Sequence, residues 1–163
     1  MANLDQPKGL EPWGECLRSR PYVAGGTVYP GDTLKQEDTG KLIVATASDA
    51  CIGVCLSYGV SGDEILVADH PDQEFMVQSD DATEPAAQTA IGLNYNLIYG
   101  SANTTYRTSG VELDGSTGAT TATLPVKALR LAPIVGNAFG ANAKLIVKIN
   151  NHQLGSHTGT AGV

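Results

Sequence analysis

The tripeptides Pro30-Gly31-Asp32, Asp38-Thr39-Gly40 and Ser61-Gly62-Asp63 constrain this chain more than any other feature. Each has a backbone reason to reverse direction: proline fixes φ, glycine frees it, and aspartate caps local N–H groups. Short apolar, β-branched segments lie between such signals, with the spacing of an antiparallel barrel or sandwich. Tyr22–Val28, Thr33–Lys35, Lys41–Thr46, Ile52–Tyr58, Glu64–Ala68 and Glu74–Gln78 read as strands. In the last, Phe75 and Val77 alternate with Glu74, Met76 and Gln78, as a half-buried strand requires.

Before these strands, Pro7, Gly9, Pro12 and Gly14 surround Leu10 and Trp13, so residues 1–20 read as an extended arm. After them, Asp80-Asp81-Ala82-Thr83-Glu84-Pro85 places acids and a proline where a helix begins, and Ala86–Ile91 can carry one short helix ended by Gly92. Leu97–Tyr99, Thr104–Thr108, Thr120–Leu124, Val126–Leu131 and Ala143–Ile149 return to β structure. The expected fold is therefore all-β, in small antiparallel barrel or sandwich units with one short helix and an N-terminal arm. Its expected division is an arm over 1–20, a barrel-like unit over 21–80, a sandwich-like unit over 81–155 and a flexible tail over 156–163.

Charge excludes several functions. Residues 1–81 hold 5 Lys/Arg against 14 Asp/Glu, whereas residues 82–163 hold 5 against 3, within an overall net charge of −7. An acidic half repels a nucleic-acid backbone, which calls for a basic stripe. Apolar runs stay near five residues, far below the roughly 20 of a membrane helix. No basic-then-apolar leader opens Met1 to Gly9, so the expectation is an intracellularly made protein with reduced thiols at Cys16, Cys51 and Cys55.

Sites of chemistry are sparse. Gly40-Lys41-Leu42 fails the phosphate-loop pattern, and Gly59-Val60-Ser61-Gly62-Asp63 fails the nucleophile-elbow spacing. The run DHPDQE, with Asp69, His70, Asp72 and Glu74, lacks the glycine and glutamate of a calcium loop and reads as a turn whose acids cap N–H groups. His152 and His157 have no evident third ligand. No catalytic, cofactor-binding or metal-ligating residue is expected.

VAGGTVYPGDTLKQEDTGKLIVATASDACIGVCLSYGVSGDEILVADHPDQEFMVQSD, IGLNYNL, SGVELDGSTGATTATLPVKALRL and NAKLIVKINNHQLG together span about residues 21–155. This text resembles the head decoration, or cement, proteins of tailed bacteriophages. The resemblance implies a non-enzymatic virion protein, made in the host bacterial cytoplasm and bound to the outer capsid surface. It implies the major capsid protein as partner and a homo-oligomer, dimer or trimer, with flexible ends adding strands to neighbouring sheet edges. On this reading Leu10 and Trp13 of the arm, and Asp69, His70, Asp72 and Glu74 of the acidic turn, are the candidate capsid or subunit contacts, since tryptophan is favoured at interface anchors. The alternative is a receptor- or glycan-binding β-sandwich displayed on a phage.

Overall fold

A computed structural model describes residues 3–81, 83–155 and 159–163. The fold is all-β and consists of two antiparallel sheets. The strands, in chain order, are β1 (Glu11–Pro12), β2 (Ser19–Val23), β3 (Thr33–Gln36), β4 (Leu42–Val44), β5 (Gly53–Cys55), β6 (Glu64–Ala68), β7 (Glu74–Gln78), β8 (Asn94–Asn103), β9 (Thr108–Ala119), β10 (Val126–Leu131) and β11 (Lys144–Ile149). One sheet has the order β1-β7-β11-β10-β8-β9 and the other β2-β6-β5-β3-β4.

The larger core lies within the six-stranded sheet. Phe75, Val77, Leu97, Leu113, Leu145 and Val147 meet there, joined by Val54 and Ala68 from the other sheet and by Ala45 and Cys51 just outside its strands. A smaller aliphatic core of Val28, Leu34, Leu42, Ile52, Ile65 and Val67 fills the inner side of the five-stranded sheet. Alternation explains the split. On β6, Ile65 and Val67 face the smaller core, while Ala68 joins the larger one. The five-stranded sheet curls until Ala24 bridges Leu42, without closing into a barrel.

Two chain segments cross between the sheets. The arm leaves the six-stranded sheet at β1 and enters the five-stranded sheet at β2, and residues 69–73 make the opposite passage from β6 to β7. The change of sheet therefore falls at residues 69–73, and the expected division between residues 80 and 81 does not coincide with it. Glu74–Gln78, expected in the first unit, pairs with β11 along its whole length.

Pro21 sits in mid-strand on β2, a position that elsewhere would break a ladder. The Ala24 N–H donates to Asp63 O at 2.8 Å, and the register pairs Tyr22 with Ile65 and Pro21 with Leu66. Even-numbered residues thus direct their amides at β6, and Pro21 lacks only a donor that would have pointed off the sheet edge. The same proline blocks that edge to strand addition.

Several local expectations are corrected. Of Thr104–Thr108, residues 104–107 are the turn of the β8–β9 hairpin and only Thr108 is strand, because Asn103 Oδ1 accepts the Thr105 and Tyr106 N–H groups, each at 3.1 Å, and Arg107 adopts φ +52°. Thr120–Leu124 is also a turn, and the strand lies before it in the glycine-rich β9. The short helix is a single 3-10 turn over Gln88–Ala90 with no acid in its first turn. Asp81 is spent locally, its carboxylate accepting the Thr83 and Glu84 N–H groups at 2.7 and 3.1 Å. Of the expected free tail, residues 156–158 lie outside the described residues. The rest is fastened: Thr160 N–H donates to Asn150 Oδ1 at 3.0 Å, and Gly162 and Val163 N–H donate to Thr120 O and Gly92 O, each at 3.1 Å.

Candidate functional site

The two sequence-predicted contact regions come together where the chain crosses between the sheets. Trp13 N–H donates to Glu74 O at 2.9 Å, and the buried Gln73 accepts the Leu17 N–H at 2.7 Å while its Nε2 donates to Glu15 O at 3.3 Å. Neither crossing segment pairs as a regular strand, so side chains supply the partners that a ladder would have given.

Asp69 is the centre of this joint. It follows Ile65 and Val67 in phase, so the strand directs it inward, and its side chain is fully buried, 0% exposed. A bare buried carboxylate is strongly unfavourable, and here its oxygens are fully engaged. Arg18 Nε donates to Oδ1 at 2.7 Å; Arg20 Nε and the Tyr22 hydroxyl each donate to Oδ2 at 2.6 Å. Arg18 Nη2 also donates to Asp69 O at 3.1 Å. Burial alone would push the Asp69 carboxyl up, but the bonds from Tyr22, Arg18 and Arg20 outweigh it and hold the group below its ordinary value. Burial, followed by the bond to Asp69, pushes the Tyr22 hydroxyl up.

The six expected contact residues separate by exposure. Leu10 is 1% exposed and belongs to the larger core, and Asp69 is sealed within its ion cluster. Both are spent inside the chain, so neither side chain can reach a partner. Trp13 is half-buried, and Glu74, also half-buried, pairs with Arg130 at 2.7 Å. Half-buried His70 accepts the Asp72 N–H on Nδ1 at 3.1 Å, and exposed Asp72 stands 3.8 Å from Lys148. The outward apolar groups are other residues. Leu17 is 51% exposed, Val23 44% and Leu66 41%, and Pro21 lies directly opposite Leu66 on the outward side of β2 and β6. Strand parity could have found Val23 and Leu66, since the neighbouring Tyr22, Ile65 and Val67 occupy the inner phase.

A second fastener holds the start of the arm. Gln78 Nε2 donates to Asp5 Oδ1 and to Glu112 Oε1, each at 2.9 Å, and its Oε1 accepts the Gln6 N–H at 2.8 Å. Burial, then the charges of Asp5 and Asp80, push the Glu112 carboxyl up against the opposing bond from Gln78. Between the fasteners, Leu10 enters the core and its N–H donates to Gly31 O at 2.9 Å. Gly9, at φ +73°, has no room for a Cβ beside Gly31.

Among the described residues no group of three His, Cys, Asp or Glu could hold a metal ion. Burial pushes the Cys51 thiol up to about 12 and the Cys55 thiol up to about 11, which keeps both protonated and unreactive. Among the described residues no helix is long and apolar enough to cross a membrane. No protein-family model matches the chain, and no curated protein matches it in sequence.

Proposed function

We propose that the chain is a capsid decoration protein, bound as a homo-oligomer to the outside of the major capsid protein shell of a tailed bacteriophage. The resemblance over about residues 21–155 suggests the class. The observation that carries the reading is the joint, where the arm is locked to residues 69–74, together with the outward apolar groups Leu17, Val23 and Leu66. A clamp between capsomers needs a body that does not deform under load, and the fully bonded Asp69 cluster makes the passage between the two sheets stiff. It also needs exposed apolar side chains, which Leu17, Val23 and Leu66 provide. Repetition over a symmetric shell turns a modest contact into high avidity.

No chemistry is assigned to the protein on this reading; its work is to stabilise the mature shell by binding it. Blocked by Pro21, the β2 edge offers side chains rather than a free ladder, so the contact is made by faces and not by strand addition at that edge. The test compares phage heads with and without the protein under heat and osmotic shock. Heads lacking it release DNA at lower temperature and recover when purified protein is added back. Equal survival of the two particle types would remove the proposal.

A further inference from the structure

A trough of about 540 Å³ runs between the start of the arm and the β8–β9 hairpin, on surface that the fasteners of the arm leave open. Gln6 and Lys8 stand on one wall, and Ser101, Asn103, Tyr106 and Thr108 on the other. Both walls are held in place. The arm is pinned by the Gln6–Gln78 bond and by the close crossing of Gly9 over Gly31. The hairpin tip is pinned by Asn103, and by Arg107, whose guanidinium carbon lies 4.2 Å from the Tyr58 ring centroid. A Cβ on Gly110, in the trough floor, would collide with Ser101 O, so the two strands of the hairpin meet there at backbone contact.

One feature of this trough asks for a ligand. Tyr106 is 78% exposed on a rigid turn, although it is the large apolar ring that such a turn could most readily have folded inward. Arg107, at φ +52°, closes the hairpin turn in the left-handed conformation common at that position and leaves Tyr106 at its tip. The lining chemistry then selects the class. In a chain of net charge −7, no acidic residue lines the trough among the described residues, and one cation, Lys8, does. The remaining walls carry neutral amide and hydroxyl groups, suited to a ligand dense in hydroxyls. An apolar peptide would leave those groups unpaired.

We propose that this trough binds a saccharide bearing carboxylate groups, with the Tyr106 ring stacked on one sugar face and Lys8 opposite a carboxylate. The amide of Asn103 and the hydroxyls of Ser101 and Thr108 bond the sugar hydroxyls. This site is separate from the joint and does not rest on the capsid reading, since either can fail while the other stands.

The test is a titration of the full chain with hexagalacturonate and with neutral maltohexaose, followed by nuclear magnetic resonance. Hexagalacturonate shifts the amides of residues 101–108 saturably at millimolar concentration or below, and maltohexaose binds more weakly. Tyr106→Ala weakens both by about tenfold or more, and Lys8→Gln brings the two sugars to equal affinity. Neither side chain is buried, so unchanged thermal melting of the variants separates loss of binding from loss of fold. Absence of shifts with both sugars, or a Tyr106→Ala variant that binds as well as the unaltered chain, overturns the proposal. So does saturable binding of a proline-rich peptide in the same trough with no response to either sugar.

Discussion

The arm is fastened at its two ends by opposite electrostatic means. At the joint, one buried carboxylate is shared by two guanidinium groups and a phenol, so attraction does the holding. At residues 5–6, one neutral amide stands between two carboxylates that repel each other, so Gln78 holds a strained arrangement together. The first arrangement gains from full ionisation and the second is weakened by it. The contrast teaches that an acidic chain can keep a stiff passage between its sheets while leaving the start of its arm easier to release.

The largest test of that contrast removes the cations at the joint. In an Arg18→Met, Arg20→Met double variant, Asp69 stays buried with only Tyr22 to oppose its charge. Stability falls, by less than for a fully buried pair because both arginines are partly solvated. Urea unfolding reads this as a lowered midpoint with unchanged slope. A double variant as stable as the parent would show that the joint contributes packing alone.

Gln78→Leu gives a smaller effect at the other fastener. It strips the Gln6 N–H of its acceptor and leaves Asp5 and Glu112 facing each other without the shared donor. The expected loss is about 1–2 kcal/mol. Local release goes further than global loss, so trypsin cuts after Lys8 faster while the cutting rates elsewhere hold. Uniform acceleration at every site would mean that the arm and body unfold together.

The smallest effect is the most diagnostic, because acid acts on the two fasteners with opposite sign. Asp69 has a lowered value in the folded chain, so its stabilisation is full above the ordinary carboxylate range and is lost as pH falls below about 4. Glu112 has a raised value, so the folded chain takes up its proton first, and the near end tightens as pH falls from neutrality toward the ordinary glutamate range. The protection factor of the Gln6 amide therefore rises on mild acidification. Emission from Trp13, the single tryptophan and a neighbour of the joint, stays constant until the more acidic range. Parallel loss of both signals would erase the distinction.

Much of the fold was legible because alternation is a local signal. Glu64–Ala68 and Glu74–Gln78 are strands with the bounds that their pattern predicts, and β11 differs from Ala143–Ile149 by one residue. Elsewhere composition misled. Thr120–Leu124 has β-branched residues yet turns, whereas the glycines of β9 permit a long strand in close contact with its neighbours, at Gly110 against Ser101 and at Gly118 against Tyr95. The candidate site was legible only in part. The pattern marks Asp69 as inward, in phase with Ile65 and Val67, but nothing local joins it to Arg18, Arg20 and Tyr22, which lie 47–51 residues away. The trough was out of reach for the same reason, since its walls are an arm and a hairpin from distant parts of the chain.

Binding of the purified protein to mature phage heads stripped of it tests the central claim most directly. Binding saturates at a fixed number of copies per shell, is retained by Tyr106→Ala and is greatly weakened by Leu17→Glu with Leu66→Glu. Binding that does not saturate, or that the two glutamates leave unchanged, would contradict that claim.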